Sequence, residues 1–201
     1  MRAISGLKSA TAVSEPTRLF LAIDLDTATR SVLAAHVCEH LRPNLPGKPV
    51  PPQSWHMTLR FVGRATRVEA DRLSFELASR LGGGRFGLRF GGLGAFPKAQ
   101  RAGVLWLGVR AGADQLGELA GVCDESATAA GFAPEERPFH AHLTLSRIRP
   151  ARDVRGILAE FPAFDMSMPV VAVTLFVSHL GRGGARYEAL ERFDLAGESQ
   201  G

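Results

Sequence analysis

Two short stretches, WHMTLRF (Trp55 to Phe61) and HAHLTLSR (His140 to Arg147), each set a histidine two residues before a threonine inside an otherwise apolar run. On an extended strand side chains alternate faces, so His56, Thr58 and Arg60 are expected on one side and Met57, Leu59 and Phe61 on the other. The second stretch repeats this with His142, Thr144 and Ser146 against Leu143 and Leu145. Histidine titrates near neutrality. A pair can therefore serve as general base and general acid at once, one taking a proton from water and the other giving one to a leaving oxygen. Two threonine hydroxyls and a nearby arginine can hydrogen-bond the non-bridging oxygens of a phosphate held between them. Arg147, directly after the second motif, is the arginine placed to do so. The chemistry this set fits is in-line displacement at phosphorus, acid and base on opposite sides, with no metal and no cofactor.

Either motif alone is a weak signal, because threonine favours strands and a histidine on a half-exposed strand face usually does nothing catalytic. The elements around the motifs add the weight. RLFLAIDL (Arg18 to Leu25) reads as a buried strand, and Asp26 or Thr27 can cap a helix to about Leu41, with Val32, Leu33, Ala35, His36 and Val37 around its inner face. RPNLPGKPVPPQ, with five prolines, must be loop. The first HxT strand, a helix over about 67–81, a turn at LGGGRF and a glycine-interrupted strand from Phe86 to Phe96 follow. The order then recurs: VLWLGVRA as strand, 113–131 as helix, GFAPEERP as loop, HAHLTLSRI as strand, a short helix near 154–160 and VVAVTLFVSHL as strand.

His142 lies 86 residues after His56, and the same shift carries Arg18 to Val104, Phe20 to Trp106, Ile23 to Val109 and Phe90 to Phe176. An internal duplication explains this most economically. Structural constraint alone would keep apolar positions and not a polar pair. Two copies suit a pseudo-twofold pair of lobes, with equivalent residues facing each other across a groove. The expected organisation is an extension over 1–17, one bilobal unit over 18–195 with repeat halves near 18–96 and 104–182, and a flexible tail over 196–201.

Composition sets the remaining bounds. With 201 residues, 45% of them hydrophobic, the chain can bury a sizeable core. A formal charge of +4, almost all its bases being arginine, permits an anionic or nucleic-acid partner. Cys38 and Cys123 show no CxxC spacing, and no apolar run approaches the roughly 20 residues needed to cross a bilayer. A cytoplasmic, monomeric protein with no membrane contact is expected. His140 and His142 share a strand face and could ligate a metal with His56 as a third, but Ser54 stands where a first-copy partner of His140 would be. Phe96, Phe139 and Trp55 could form a wall for a stacked base. His36 and His40 read as surface or packing residues, and Ser178, His179 and Tyr187 receive no role.

These residues resemble the two-histidine phosphoesterase superfamily, and within it the RNA 2′,3′-cyclic phosphodiesterases also described as 2′-5′ RNA ligases. The resemblance runs from about Arg18 to Leu195, through RLFLAIDL, WHMTLRFVG, GGLGAFP with VLWLGV, RPFHAHLTLSRIR, and LFVSHL followed by GARYEAL. It implies an α+β fold with two antiparallel sheets facing a central cleft and helices outside. It further implies metal-independent hydrolysis of a terminal 2′,3′-cyclic phosphate on RNA, tRNA fragments included, to a 2′-phosphomonoester. Within that reading His56 is the proton donor, His142 the acceptor, and Thr58, Thr144 and Arg147 hold the phosphate; the spacing alone leaves the acid unassigned. Reverse 2′-5′ ligation, an RNA-binding module without turnover and a metal-dependent hydrolase using His140 and His142 are the alternatives. The departures from the family pattern are His140, where a basic Arg or Lys is common, and Met57 in place of Leu.

Overall fold

The structure is a computed structural model and describes residues 16–41, 45–162, 164–181 and 184–198. The expected extension falls outside them except for its last two residues. Strand β1 (Thr17–Asp24) leads into α1 (Thr27–Leu41), whose first turn is capped by Asp26: its carboxylate accepts from the Thr29 backbone N–H at 2.8 Å and from the Thr29 hydroxyl at 2.6 Å. After the short β2 (Lys48–Pro49) come β3 (His56–Ala65) and α2 (Arg67–Arg80). Thr66 and Glu69 close a reciprocal capping box at the start of α2. The second series is β4 (Gly84–Phe96), β5 (Ala102–Ala111), α3 (Ala113–Ala129), β6 (His142–Arg152), α4 (Arg155–Glu160), β7 (Ser167–Val170), β8 (Ala172–Gly181), β9 (Gly184–Asp194) and β10 (Ala196–Glu198).

The α+β architecture with two sheets is as expected, but the repeats are interlaced rather than side by side. One sheet runs β3-β1-β8-β9; the other runs β10-β4-β5-β6-β2, with β7 also on β4. Each repeat thus gives its last long strand to the other repeat's sheet: β8 pairs with β1, and β4 with β5. All pairings are antiparallel except that of β10 with β4. That strand takes up Ala196–Glu198 of the expected flexible tail, and the rest of that tail lies outside the described residues.

Helices and sheets share one principal core. Leu21, Ile23 and Met57 from the first sheet, Leu107 and Leu143 from the second, and Leu33, Leu73, Leu77 and Leu116 from the helices are all within 1% of full burial. Each such side chain stabilises the fold by about 1.5–3 kcal/mol relative to exposure. In α1 the inner face is Thr29, Leu33, Val37 and Leu41; Val32 is 54% exposed, so the broader apolar face predicted there narrows to one stripe.

Strand pairing also corrects the internal register. Asp24 lies opposite His56 and Gly108 opposite His142. Gly108 follows Asp24 by 84 residues, not 86, so Phe20 corresponds to Val104 rather than to Trp106. Phe176 is opposite Phe20 and Phe96 is opposite Val104. Phe96, not Phe90, is therefore the counterpart of Phe176, and the 86-residue shift, which carries Leu33, Val37 and Leu41 of α1 onto buried Leu119, Cys123 and Ala127 of α3 and holds at the two HxT motifs, fails along β1 and β4.

Candidate active site

Bulges decide which side chains reach the cleft. In β3, Ala22 of β1 pairs with Thr58 and the next residue, Leu21, pairs with Arg60, leaving Leu59 as the extra residue. A bulge resets strand alternation. Leu21 faces the core, so Arg60 turns to the core side too, and Phe61, opposite the cleft-facing Phe20, returns to the cleft. The predicted faces of Arg60 and Phe61 are thereby exchanged. In β6 the same device recurs: Trp106 pairs with Thr144 and Leu105 with Ser146, leaving Leu145 extra. Ser146 is buried and its hydroxyl donates to the backbone carbonyls of Pro46 and Lys48, while Arg147 swings to the cleft side with His142 and Thr144.

Arg60 is only 6% exposed. Its Nε donates to the Asp124 carboxylate on α3 at 2.6 Å, and its terminal nitrogens donate to the carbonyls of Phe61 and Ala133. Asp124 also accepts from the Glu135 backbone N–H at 3.0 Å. This knot ties β3 to α3 and to the segment that leads into His140 and His142.

The two histidines are held alike. His56 Nδ1 donates to the carbonyl of Ser54 at 2.9 Å, and His142 Nδ1 donates to the carbonyl of His140 at 2.7 Å. A carbonyl only accepts, so each bond fixes the Nδ1–H tautomer and leaves Nε2 as the unprotonated nitrogen of the neutral ring. Rings pack around both. Phe20 lies 4.8 Å and Tyr187 4.9 Å from His56, with Phe176 stacked on Phe20 at 5.2 Å. Phe96 lies 5.0 Å from His142, and Trp106 packs at 4.8 Å against His140. The Trp106 indole lies flat over Gly94, where an added Cβ would stand 2.2 Å from the ring.

This packing sets the charge state. Burial pushes His56 down to about 4, assisted by the positive charges of Arg147 and His142 and opposed by the Ser54 bond and Asp24. His142 is also lowered, first by burial and then by His140 and Arg147, against its bond to the His140 carbonyl. That Arg147 acts on both histidines means that the two motifs converge on one place. Thr58, His142, His140, Phe61, Phe96 and Phe139 line a single cavity of about 920 Å³.

Other predicted residues lie elsewhere. Trp55 is 3% exposed in the core, its indole N–H donating to the Val50 carbonyl at 2.9 Å, so it cannot form a base-stacking wall. His36 stacks on Phe164 at 4.1 Å beside His40, and His179 bonds Glu188 at 2.9 Å. Among the described residues no three of His, Cys, Asp and Glu gather as a metal site would require. No helix of the described residues is long and apolar enough to cross a membrane. Sequence reasoning missed Phe20, Phe176 and Trp106 as the rings that desolvate the histidines. Their positions at two-residue spacing on apolar strands carried the only signal, and it reads equally as core.

Known proteins resemble the chain along most of its length. The family described as LigT like Phosphoesterase matches twice, over residues 28–106 and 107–187. The RNA 2′,3′-cyclic phosphodiesterase of Aeropyrum pernix is 36% identical over 73% of this chain and 85% of its own. That of Escherichia coli is 34% identical over 91% of this chain and 99% of its own. The crystal structure of E. coli LigT complexed with 3′-AMP superposes with a TM-score of 0.76 at 33% identity, covering 90% of this chain and 99% of that one. A double match that follows the duplication, joined to relatives aligned almost end to end, makes this chain a member of the LigT-like phosphoesterase family.

Proposed function

We propose that the protein hydrolyses the terminal 2′,3′-cyclic phosphate of RNA to a 2′-phosphomonoester, with His56 giving a proton to the departing 3′ oxygen and His142 taking one from the attacking water. The observation that carries this is the matched pair of imidazoles, each with Nδ1 tied to a backbone carbonyl and both within the field of the Arg147 charge. Two E. coli and A. pernix relatives named RNA 2′,3′-cyclic phosphodiesterases support the substrate class.

Without ligand both histidines are neutral at pH 7, which suits the base but not the acid. The anionic phosphate supplies what is lacking. Held by Thr58, Thr144 and Arg147, it favours a proton on an adjacent imidazole, so one histidine charges as substrate enters. Arg147 on the cleft side offsets the charge that builds on the equatorial oxygens.

The test is turnover of adenosine 2′,3′-cyclic phosphate and of tRNA halves bearing the same end, in excess EDTA, with the product isomer identified. Formation of the 2′-phosphate is expected, and loss of roughly 10² to 10⁴ in kcat for His56→Ala and for His142→Ala. Near-normal turnover in both variants, or activity that EDTA removes and zinc restores, would falsify the mechanism.

A further inference from the structure

The cleft face of the first sheet continues beyond the rings around His56. Rung by rung along β1, Asp24 stands opposite His56, Ala22 opposite Thr58, Phe20 opposite Phe61, and finally Arg18 opposite Arg64. Arg18 also faces Ser178 on β8, which faces Tyr187 on β9. Arg64, Arg18, Ser178 and Tyr187 therefore form one row across all four strands. Phe20 faces the cleft, and Arg18 lies two residues away on a stretch of β1 without an inserted residue, so it points the same way. Tyr187 points to the same face, but its ring leans towards the histidine, 5.1 Å from Phe20 and 4.9 Å from His56.

Two guanidiniums placed opposite each other on paired strands repel, an arrangement that destabilises a sheet unless a counter-charge is supplied. Elsewhere in this molecule the problem is solved internally: Arg89 and Arg110, on adjacent strands, share Asp165 at 3.1 Å each. At Arg18 and Arg64 no acid of the described residues intervenes, and the hydroxyl of Ser178, opposite Arg18, makes no hydrogen bond among the described residues either. The row thus offers positive charge and donors on an exposed surface, with its anion to come from outside. It lies four residues of β1 beyond the Thr58 rung, roughly 13 Å at 3.3 Å per residue. A phosphate held at the threonines does not reach it. The rung between them presents Phe61, which is 55% exposed, and a ring beside cations is how single-stranded nucleic acid is held.

We propose that Arg18 and Arg64, with Ser178, form a second phosphate subsite that binds the RNA backbone upstream of the terminal nucleotide. This rests on the cyclic phosphodiesterase reading and narrows its substrate to an oligonucleotide, the mononucleotide filling only the histidine end.

The experiment compares adenosine 2′,3′-cyclic phosphate with a trinucleotide ending in the same group, in wild type, Arg18→Ala, Arg64→Ala and Arg64→Lys. For the trinucleotide, KM is expected to rise about tenfold in each alanine variant, as for a lost charged hydrogen bond, with kcat unchanged and Arg64→Lys largely normal. The slope of log affinity against log salt falls by about one per lost contact. The mononucleotide keeps its wild-type KM. Unchanged trinucleotide KM in both alanine variants overturns the subsite, as does an equal rise for both substrates. Anisotropy with a labelled trinucleotide 2′-phosphate reads the subsite without turnover. A wild type that binds this probe through Arg18 and Arg64 but hydrolyses neither substrate would overturn the catalytic reading and leave the subsite standing.

Discussion

At the scale of single residues, burial makes His56 and His142 reluctant cations in the free protein, and this has a consequence for stability. An unfolded His56 takes a proton near pH 6.5, whereas the folded one resists until about 4. Below pH 6.5 the unfolded state therefore binds more protons than the native state, and protonation favours unfolding. His56 burial costs nothing above pH 6.5, and stability falls progressively as pH drops towards 4, by up to about 3 kcal/mol. Urea midpoints at pH 7 and pH 4.5 check this: His56→Gln should lose less stability than wild type on acidification. Inorganic phosphate, by favouring a protonated imidazole, should flatten the wild-type slope. Equal acid sensitivity in the two proteins would sink the assignment. The pair itself was legible in the sequence because chemistry restricts residue type at spacing two. The rings that depress its proton affinity were not, since Phe20, Phe176 and Trp106 are ordinary strand residues until the sheet is assembled.

At the scale of elements, the bulges at Leu59 and Leu145 are what the sequence concealed. Strict alternation put Arg60 and Ser146 in the cleft; one inserted residue in each strand turns them to the core and brings Phe61 and Arg147 forward. Neither Leu carries a local mark of a bulge, as a glycine would, because the irregularity exists only relative to the partner strand. Helix and strand positions were readable, by contrast, since period and capping are local: Asp26 and Thr66 cap α1 and α2 through their own neighbours. The bulge in β3 leaves a buried guanidinium that depends on Asp124. Removing that carboxylate strands the charge, for which a loss of about 3–5 kcal/mol is typical. Glu135 at 3.9 Å and the two accepting carbonyls soften it, so Asp124→Ala should lose about 2–4 kcal/mol in chemical denaturation. The substitution should also raise KM, because the segment Ala133–Phe139 that leads into His140 loses its anchor. A variant as stable as wild type would show that Arg60 is adequately held by backbone alone.

At the scale of the molecule, the duplication was visible but its interlacing was not. Strand order across a sheet is a long-range fact, and nothing within 84–96 or 172–181 states which sheet receives it. The exchange changes what the two lobes are. Had each repeat kept its own strands, a cut between them would leave two separable units. Here a cut in the exposed turn at Pro97–Lys98 deprives β1 of β8 and β4 of β5, exposing strand edges on both fragments. Neither the 1–97 fragment nor the 98–201 fragment should unfold cooperatively alone, while mixing them should restore turnover. The intact chain should then melt as one unit. Trp55 precedes the edge strand of the first sheet and Trp106 lies in the second, so Trp106→Phe and Trp55→Phe give single-tryptophan reporters of each. Their urea transitions, each corrected to a common stability by circular dichroism of the same variant, should coincide as two-state unfolding requires. Two separated midpoints within one variant, one by fluorescence and one by circular dichroism, would show that the sheets unfold independently despite the shared strands.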